Sequence, residues 1–452
     1  MRITFEEAFS LFEISDICHG RLNSRNALIY AITTDTRECE AGDLFIALKG
    51  EKYDGHFYLS YAHSLGAFTL GNDNAASVWV KNSYDALLSI ATLHKKRIMP
   101  KYTVAITGSV GKTTTKNFAQ KMLSHKHITH KTMGNYNNAV GLAHTVLTAK
   151  KRTEILVCEL GMNHKNEIKA LSEAISPTIS VITNVGSAHI GNLGSRENIA
   201  MAKLEIECGM SGGPCIIPDN EPLLLKAKNP YFVSLKDKSA NLFARIEKRS
   251  GEGTRLFIKT GSFEANLTSS LYAIHHVNAL LYAIAICDVI GFGKSDIINA
   301  ANKITPELPE QRFIRIGKYE FYSDAYNSSP EAVIADFVML SERKADFSAV
   351  LGDMLELGKE SEALHFKIGL ECAKHNPKRL YCFGKFASFI RAGALAGGIK
   401  EENVHVNSNI SKPELTANAI CENYEGETIL LKASHSVRIE RIPEIIKVTV
   451  GG

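Results

Sequence analysis

Apolar residues along this chain recur at two spacings, strand-like and helical, and the exchange between them divides it into three regions. The first runs to about residue 98. It mixes short strand-like runs such as 44–48 with turn clusters such as Asp54-Gly55, and closes on Tyr84, Leu87, Leu88 and Ala91, apolar at helical spacing. The second opens with an apolar run at 103–106 that enters a glycine-rich turn and then a helix-forming stretch. Further β-rich runs at 155–160 and 179–183 are separated by 165–174, which reads as helix and breaks at Pro177. This alternation predicts a parallel sheet covered on both faces. The third region, from about Pro309, alternates β-rich runs (348–351, 379–383, 428–431) with helical patterns (330–342, 362–374), again a doubly wound signature. The expected fold is α/β in three domains: a small mixed α/β domain over 1–98, a central domain with a mainly parallel sheet over 99–310, whose glycine turn is that of a phosphate-loop fold, and a Rossmann-like domain over 311–452.

Composition narrows the setting. A length of 452 residues exceeds what one hydrophobic core organises. Hydrophobic residues at 45% and charged residues at 22% suit a soluble globular protein, and a net charge of +4 gives no reason to expect nucleic acid as a partner. Nine cysteines, an odd number without CxxC spacing, argue against a complete disulfide framework and for a reducing cytoplasm. Residues 1–10 hold two glutamates and no apolar core segment, so no signal peptide is expected. The longest apolar stretch, 279–287, is too short to span a bilayer.

Candidate chemistry starts at Thr107-Gly108-Ser109-Val110-Gly111-Lys112-Thr113-Thr114, between the apolar strand and the helix. Glycines let the backbone turn tightly, so that successive N–H groups face an anion at the positive end of the helix. Lys112 would reach the terminal phosphates, and a hydroxyl from Thr113 or Thr114 would help hold magnesium. The general motif wants a glycine five residues before Gly111, where this chain has Ile106. A plain strand-to-helix turn is the bland alternative, and the coincidence of strand, GKT core and helix outweighs it.

The loop TGSVGKTTT resembles that of the Mur ligase family, and later residues extend the likeness. Glu159-Leu160-Gly161-Met162 follows one strand, Thr183-Asn184-Val185-Gly186-Ser187-Ala188-His189 the next, and Ala202-Lys203-Leu204-Glu205 comes after it. The resemblance implies that Glu159 and His189 hold magnesium. It also implies that Lys203 is carbamylated by carbon dioxide, giving a carboxylate-like group that helps position a second Mg²⁺. Singly, these read as a loop glutamate, a structural histidine and a lysine on a wet helix face; their shared order behind the loop favours function. Lys112, Lys203, Glu159 and His189 are therefore the expected catalytic set, with Thr113, Glu159, His189 and Lys203 around the metals.

Asp35-Thr36-Arg37, the run from Gly42 to Lys49-Gly50, and Asp54-Gly55-His56 resemble the family's UDP-sugar-binding domain, and imply that Asp35, Thr36, Arg37, Lys49, Gly50, Asp54 and His56 meet the UDP substrate. Asp324-Ala325-Tyr326-Asn327-Ser328-Ser329-Pro330 is similar to the signature Asp-Asp-x-Tyr-Asn-Ala-Asn-Pro of the D-alanyl-D-alanine-adding branch. LGDMLELG at 351–358, with His365 beyond it, matches that branch's hallmark. The Asp-Asn-Pro-Arg tetrapeptide of the diaminopimelate-adding branch is absent. The resemblance thus implies an ATP-dependent amide ligase, working through an acyl phosphate, that adds D-alanyl-D-alanine to UDP-N-acetylmuramoyl-tripeptide in cytoplasmic peptidoglycan precursor synthesis. It further implies a monomer without membrane or nucleic-acid partners. A sister ligase adding a diamino acid, or a nucleotide-binding protein without turnover, is the alternative. Asn278, Arg312, Asp324 and Asn327 join the expected nucleotide contacts, and Asn135, Asn137, Asn138, Tyr326 and Asp353 the substrate contacts. The chain departs from the family pattern at Asn166, Ser323, Ser329, Ala433 and His435, and at His275-His276, where a Gly-x-His-Asn spacing is lost.

Overall fold

The computed structural model describes residues 2–50, 52–250, 253–305, 312–325, 328–343 and 346–450. Tyr326, Asn327 and the side chain of Arg312, three expected contacts, lie outside the described residues. Three sheets organise the chain. The first has six strands in the order Arg2–Ser10, Leu28–Thr33, Leu44–Ile46, Phe68–Gly71, Val78–Trp79, Arg21–Leu22, antiparallel at its two outer pairings and parallel between. The helix Ser83–Ile98 closes this unit. Asn82 caps it by accepting from the amides of Tyr84 and Asp85. Its buried side (Ala86, Leu87, Ile90, Ala91) belongs to one hydrophobic cluster with Leu142 and Val146 of the helix Ala139–Leu147 and Leu171 of the helix Glu167–Ile175. The first sheet and one face of the second therefore share a core.

The nine-stranded central sheet runs Glu264–Ser269, Gly253–Thr260, Leu242–Ser250, Pro230–Ser234, Cys215–Pro218, Ile179–Ile182, Tyr102–Thr107, Ile155–Glu159, Thr129–Lys131. Its pairings are parallel except at the first two. The strand Tyr102–Thr107, buried from Thr103 onward, lies between two parallel neighbours, as its unbroken apolar run required. The antiparallel edge over 242–269 differs from the expected parallel alternation. Its strands alternate buried and exposed positions, and their apolar face meets the helix Ile274–Ile290, buried along most of its length.

The third sheet runs Arg312–Ile316, Tyr319–Ser323, Thr428–Lys432, Phe347–Leu351, Leu380–Phe383, Val404–Asn407, parallel after its first, antiparallel pair. On it the helices Ser361–Ala373 and Ala387–Ala396 cross through two glycines. A Cβ on Gly369 would overlap the carbonyl oxygen of Ile390, and one on Gly393 that of Phe366. Gly393→Ala is therefore expected to push the helices apart and cost roughly 1–3 kcal/mol. Thermal unfolding of the variant checks this, and an unchanged transition would refute the close crossing.

Candidate active site

The strands Ile155–Glu159, Tyr102–Thr107 and Ile179–Ile182 are adjacent and parallel, so their carboxyl ends deliver Glu159, the glycine loop and Thr183-Asn184 to one edge. Ligands collect at such ends in open α/β sheets. The loop leaves the strand at Gly108, φ +150°, where a Cβ would overlap the hydroxyl of Thr183. It enters the helix Lys112–Leu123 through Gly111, φ +85°. Its shape is held from outside. Asn184 Oδ1 accepts from the amides of Ser109 (3.1 Å) and Val110 (3.0 Å), its Nδ2 donates to the Val110 carbonyl (2.9 Å), and Thr183 Oγ1 donates to that carbonyl (2.6 Å). The Gly186 amide donates to Ser109 Oγ at 2.8 Å. Lys112 Nζ donates to the Gly108 carbonyl at 2.8 Å. Burial pulls the Lys112 ammonium below its ordinary range, against the fields of Glu159 and Glu356.

Glu159 is the hub. Thr113 Oγ1 stands 3.0 and 3.1 Å from its two oxygens, Asn137 Nδ2 donates to it at 3.0 Å, and Lys116 Nζ pairs with it at 3.0 Å. Both charged side chains of that pair are only 1% exposed. Lys116 also donates to the Gly134 carbonyl at 2.7 Å. Thr113 Oγ1 and the Glu159 carboxylate give two converging hard oxygen donors, which suit magnesium. His189 Nδ1 is 2.6 Å from Glu356 Oε2, a carboxylate held below its ordinary range by that imidazole and close enough to feel the Lys112 ammonium. Among the described residues no group of three His, Cys, Asp or Glu side chains converges as a metal cage. Lys203 is 1% exposed, and burial first, then the Lys112 ammonium, push its amine well below the ordinary lysine range.

The third sheet turns its carboxyl ends towards this edge. Lys432 Nζ pairs with Asp324 and, at 3.2 Å, with Asp336. Burial pushes the Asp336 carboxyl well above the usual range, Lys432 pulls it back and Asp324 raises it further. Across the seam the amide and hydroxyl of Ser187 each donate to Glu331 Oε1 at 2.8 Å, and the Gly191 amide donates to the Glu356 carbonyl at 3.2 Å. Gly191 and Gly358 touch backbone to backbone; a Cβ on Gly191 would lie 2.6 Å from the Gly358 amide. A cavity of ≈ 150 Å³ remains in the seam, between residues 109–114, Asn135, Asn137 and Glu159 on one wall and Asp324, Ser329, Asp336 and Lys432 on the other. A second, of ≈ 370 Å³, lies beyond Val110 and Gly111 and includes Thr115, Asn184, Asp219, Lys236, Asn278 and Tyr282.

The expected residues divide accordingly. Residues 109–114, Asn135, Asn137, Glu159 and Asp324 meet at the smaller cavity, and Asn278 borders the larger one. Thr107 is buried in its strand. Asn138 spends its side-chain oxygen capping the helix Ala139–Leu147, accepting from the Gly141 amide. Asp353 is buried and accepts from the amides of Lys385 and Phe386, both at 2.9 Å, so its carboxylate fixes a turn. In the first unit Asp35 accepts from the Arg37 guanidinium, which holds its carboxyl down at about 2. Thr36 and Arg37 follow it in one short helix. Asp54 lies 2.6 Å from His56 and 3.9 Å from Lys49, with Gly50 beside them donating to the Tyr53 carbonyl. Phe57 and Tyr53 are exposed next to that cluster.

Three family models match the chain: "Mur ligase family, catalytic domain" over 28–91, "Mur ligase middle domain" over 106–287 and "Mur ligase, glutamate ligase domain" over 311–435. Among relatives, the UDP-N-acetylmuramoyl-tripeptide--D-alanyl-D-alanine ligase of Bacillus subtilis (strain 168) is 34% identical over 95% of this chain and 96% of its own length. The Escherichia coli (strain K12) protein of the same name is 28% identical, over 96% and 97%. Two solved structures share the fold. MurF from Acinetobacter baumannii has a TM-score of 0.86 at 24% identity, covering 98% of this chain and 99% of that one. MurF ligase from Thermotoga maritima in complex with ADP has 0.81 at 24%, covering 93% and 97%.

Three groups that sequence reasoning left without roles shape the site. Asn184 and Thr183 hold the loop, and Lys116 balances Glu159. Asn184 stands inside the run 183–189, but only the folded chain shows its side chain meeting amides 75 and 74 residues away. Asn184→Ala should release the Ser109 and Val110 amides and weaken ADP binding at least about tenfold, while unfolding stays cooperative. Isothermal titration decides; an unchanged affinity would mean the loop keeps its shape without this clamp.

Proposed function

The chain belongs to the Mur ligase family, and we propose that its residues share out a single reaction, the ATP-dependent joining of D-alanyl-D-alanine to UDP-N-acetylmuramoyl-tripeptide in peptidoglycan precursor synthesis. The enzyme is a ligase that forms an amide bond. What best supports the division of labour is one juxtaposition: the phosphate loop, the Thr113–Glu159 pair and the Asp324–Lys432 pair border the same seam cavity.

The loop amides and Lys112 bind the ATP phosphates at the positive end of the helix Lys112–Leu123. The base and ribose take the larger cavity, beside Asn278. The terminal carboxylate of the tripeptide attacks the γ-phosphorus; the bond to the ADP oxygen breaks and an acyl phosphate forms. The amine of D-alanyl-D-alanine then attacks the acyl carbon, phosphate leaves, and the nitrogen gives up its proton. Thr113 and Glu159 would hold magnesium, which supplies charge neutralisation on the transferred phosphoryl group. Most of the protein's work is positioning and charge stabilisation. The third sheet closes over the loop through Ser187–Glu331 and His189–Glu356, keeping water from the acyl phosphate.

Lys203 fits carbamylation. Only an uncharged amine reacts with carbon dioxide, and burial beside Lys112 favours that form. The carbamate would turn a repelled cation into an anion next to Lys112. The UDP moiety meets the first unit around Asp35, Arg37, Lys49, Asp54 and His56. Among the described residues no helix is long and apolar enough to cross a membrane.

Phosphate release with UDP-muramoyl tripeptide, with and without D-alanyl-D-alanine, tests the reading, and release indifferent to the dipeptide would overturn it. Lys112→Ala should abolish dipeptide-dependent release while leaving the melting transition in place. Lys203→Ala should be inactive and partly rescued by millimolar short carboxylic acids; a fully active variant would remove the carbamate from the mechanism.

A further inference from the structure

His275 is the second residue of the helix Ile274–Ile290, whose N-cap, Ala273, offers no side-chain oxygen. Its Nδ1 and Nε2 are both enclosed and neither has a hydrogen-bond partner. A buried imidazole with both nitrogens bare is costly, and such groups mark a place where a ligand completes the set. The ring is held firmly: its centroid is 4.2 Å from that of His276, which packs edge-on to Phe118 of the phosphate-loop helix at 6.2 Å. Val110, Gly111 and His275 border both cavities, so a nucleotide filling the two must pass this ring as it crosses the loop.

Charge decides which part of the nucleotide meets it. On the far wall of the seam the ammonium of Lys432 is already engaged by Asp324 and Asp336, which leaves it no free charge for a phosphate. On the near side stand the loop amides and His275. Burial, then His276 and Lys432, hold the imidazole well below its ordinary range, so it is neutral and carries one N–H donor and one acceptor. Resting on the nucleotide site described above, we propose that His275 is a nucleotide-binding residue that donates a ring N–H to the polyphosphate where it passes between the two cavities. A hydrogen bond to an anionic oxygen in so dry a place is worth about tenfold in affinity.

The full-length protein is titrated with adenosine and with ADP in the presence of Mg²⁺. His275→Ala should raise the ADP dissociation constant about tenfold and leave adenosine within about twofold of the parent. His275→Gln, which keeps an N–H donor, should recover most of the loss. A residue that merely packs would weaken both ligands alike; that result, or ADP affinity equal to the parent's in His275→Ala, overturns the inference. If the alanine variant unfolds, His275→Leu is compared with His275→Gln on the same two ligands and by the same criteria. A parent chain that binds no ADP would instead sink the nucleotide site as a whole, an outcome visible before any variant is made.

Discussion

The buried carboxylate of Glu159 is the constraint around which the site is arranged. Taking a carboxylate and an ammonium out of water costs several kcal/mol per ion, and mutual attraction offsets this only when the remaining hydrogen-bonding capacity is also filled. Here Lys116, Thr113 and Asn137 surround Glu159, and the Gly134 carbonyl accepts a further hydrogen bond from Lys116. The partners come from two parts of the chain. Thr113 and Lys116 lie on the phosphate-loop helix and Asn137 on the loop before the helix Ala139–Leu147, so these bonds fix two segments relative to the central strands. Removing one partner would strand a charge, and the penalty would fall on the segments that shape the phosphate cradle. Stability and catalytic geometry thus rest on the same atoms.

The second constraint is the seam. Two mainly parallel sheets meet with their carboxyl ends facing, and among the contacts beside the cavity are Ser187 on Glu331, His189 on Glu356, and the backbone touch of Gly191 on Gly358. One of these joins two residues at positive φ, His189 (φ +66°) and Glu356 (φ +65°), a conformation that costs about 1–2 kcal/mol for a residue with a side chain. Such strain persists where surroundings over-determine it, and it concentrates where elements move relative to one another.

Much of this was legible in the sequence, for a physical reason. Strands buried on both faces leave unbroken apolar runs, so 103–106, 155–160 and 179–183 read correctly, and the helix Pro330–Glu342 announced itself by its repeat. The phosphate loop was legible because glycine spacing there answers a backbone demand, seen at Gly108 and Gly111. The antiparallel edge over 242–269 was not, since alternating strands of a meander carry no local sign of which sheet they extend. Partnerships were equally hidden. Nothing in a linear reading shows that Asp353 caps a turn, that Asn184 clamps a loop, or that His189 faces Glu356. Residue type announces capacity for chemistry, whereas the fold decides whether that capacity is spent internally or left facing a cavity.

The departures from the family pattern obey the same distinction. Asn166 stands where the pattern has glycine, and its φ is +68°; asparagine is among the few residues with a side chain that enter this region readily. Ser329 replaces an asparagine and caps the helix Pro330–Glu342 by accepting from the Ala332 amide, a task the two residue types perform equally well. Ala433 replaces another glycine, and a Cβ on the neighbouring Gly352 would lie only 2.6 Å from its methyl, so the methyl fits because Gly352 has none. In these three cases the position demands a backbone shape or a cap, and the substitute meets the demand. The chemistry-bearing side chains, Lys112, Thr113, Glu159 and Lys203, are unaltered in type and sit on the same edge or buried beside it. Variation at these three positions is tolerable because a scaffold can be rebuilt by any residue with the right backbone preference, whereas the chemistry of an ammonium or a carboxylate cannot be supplied by backbone shape.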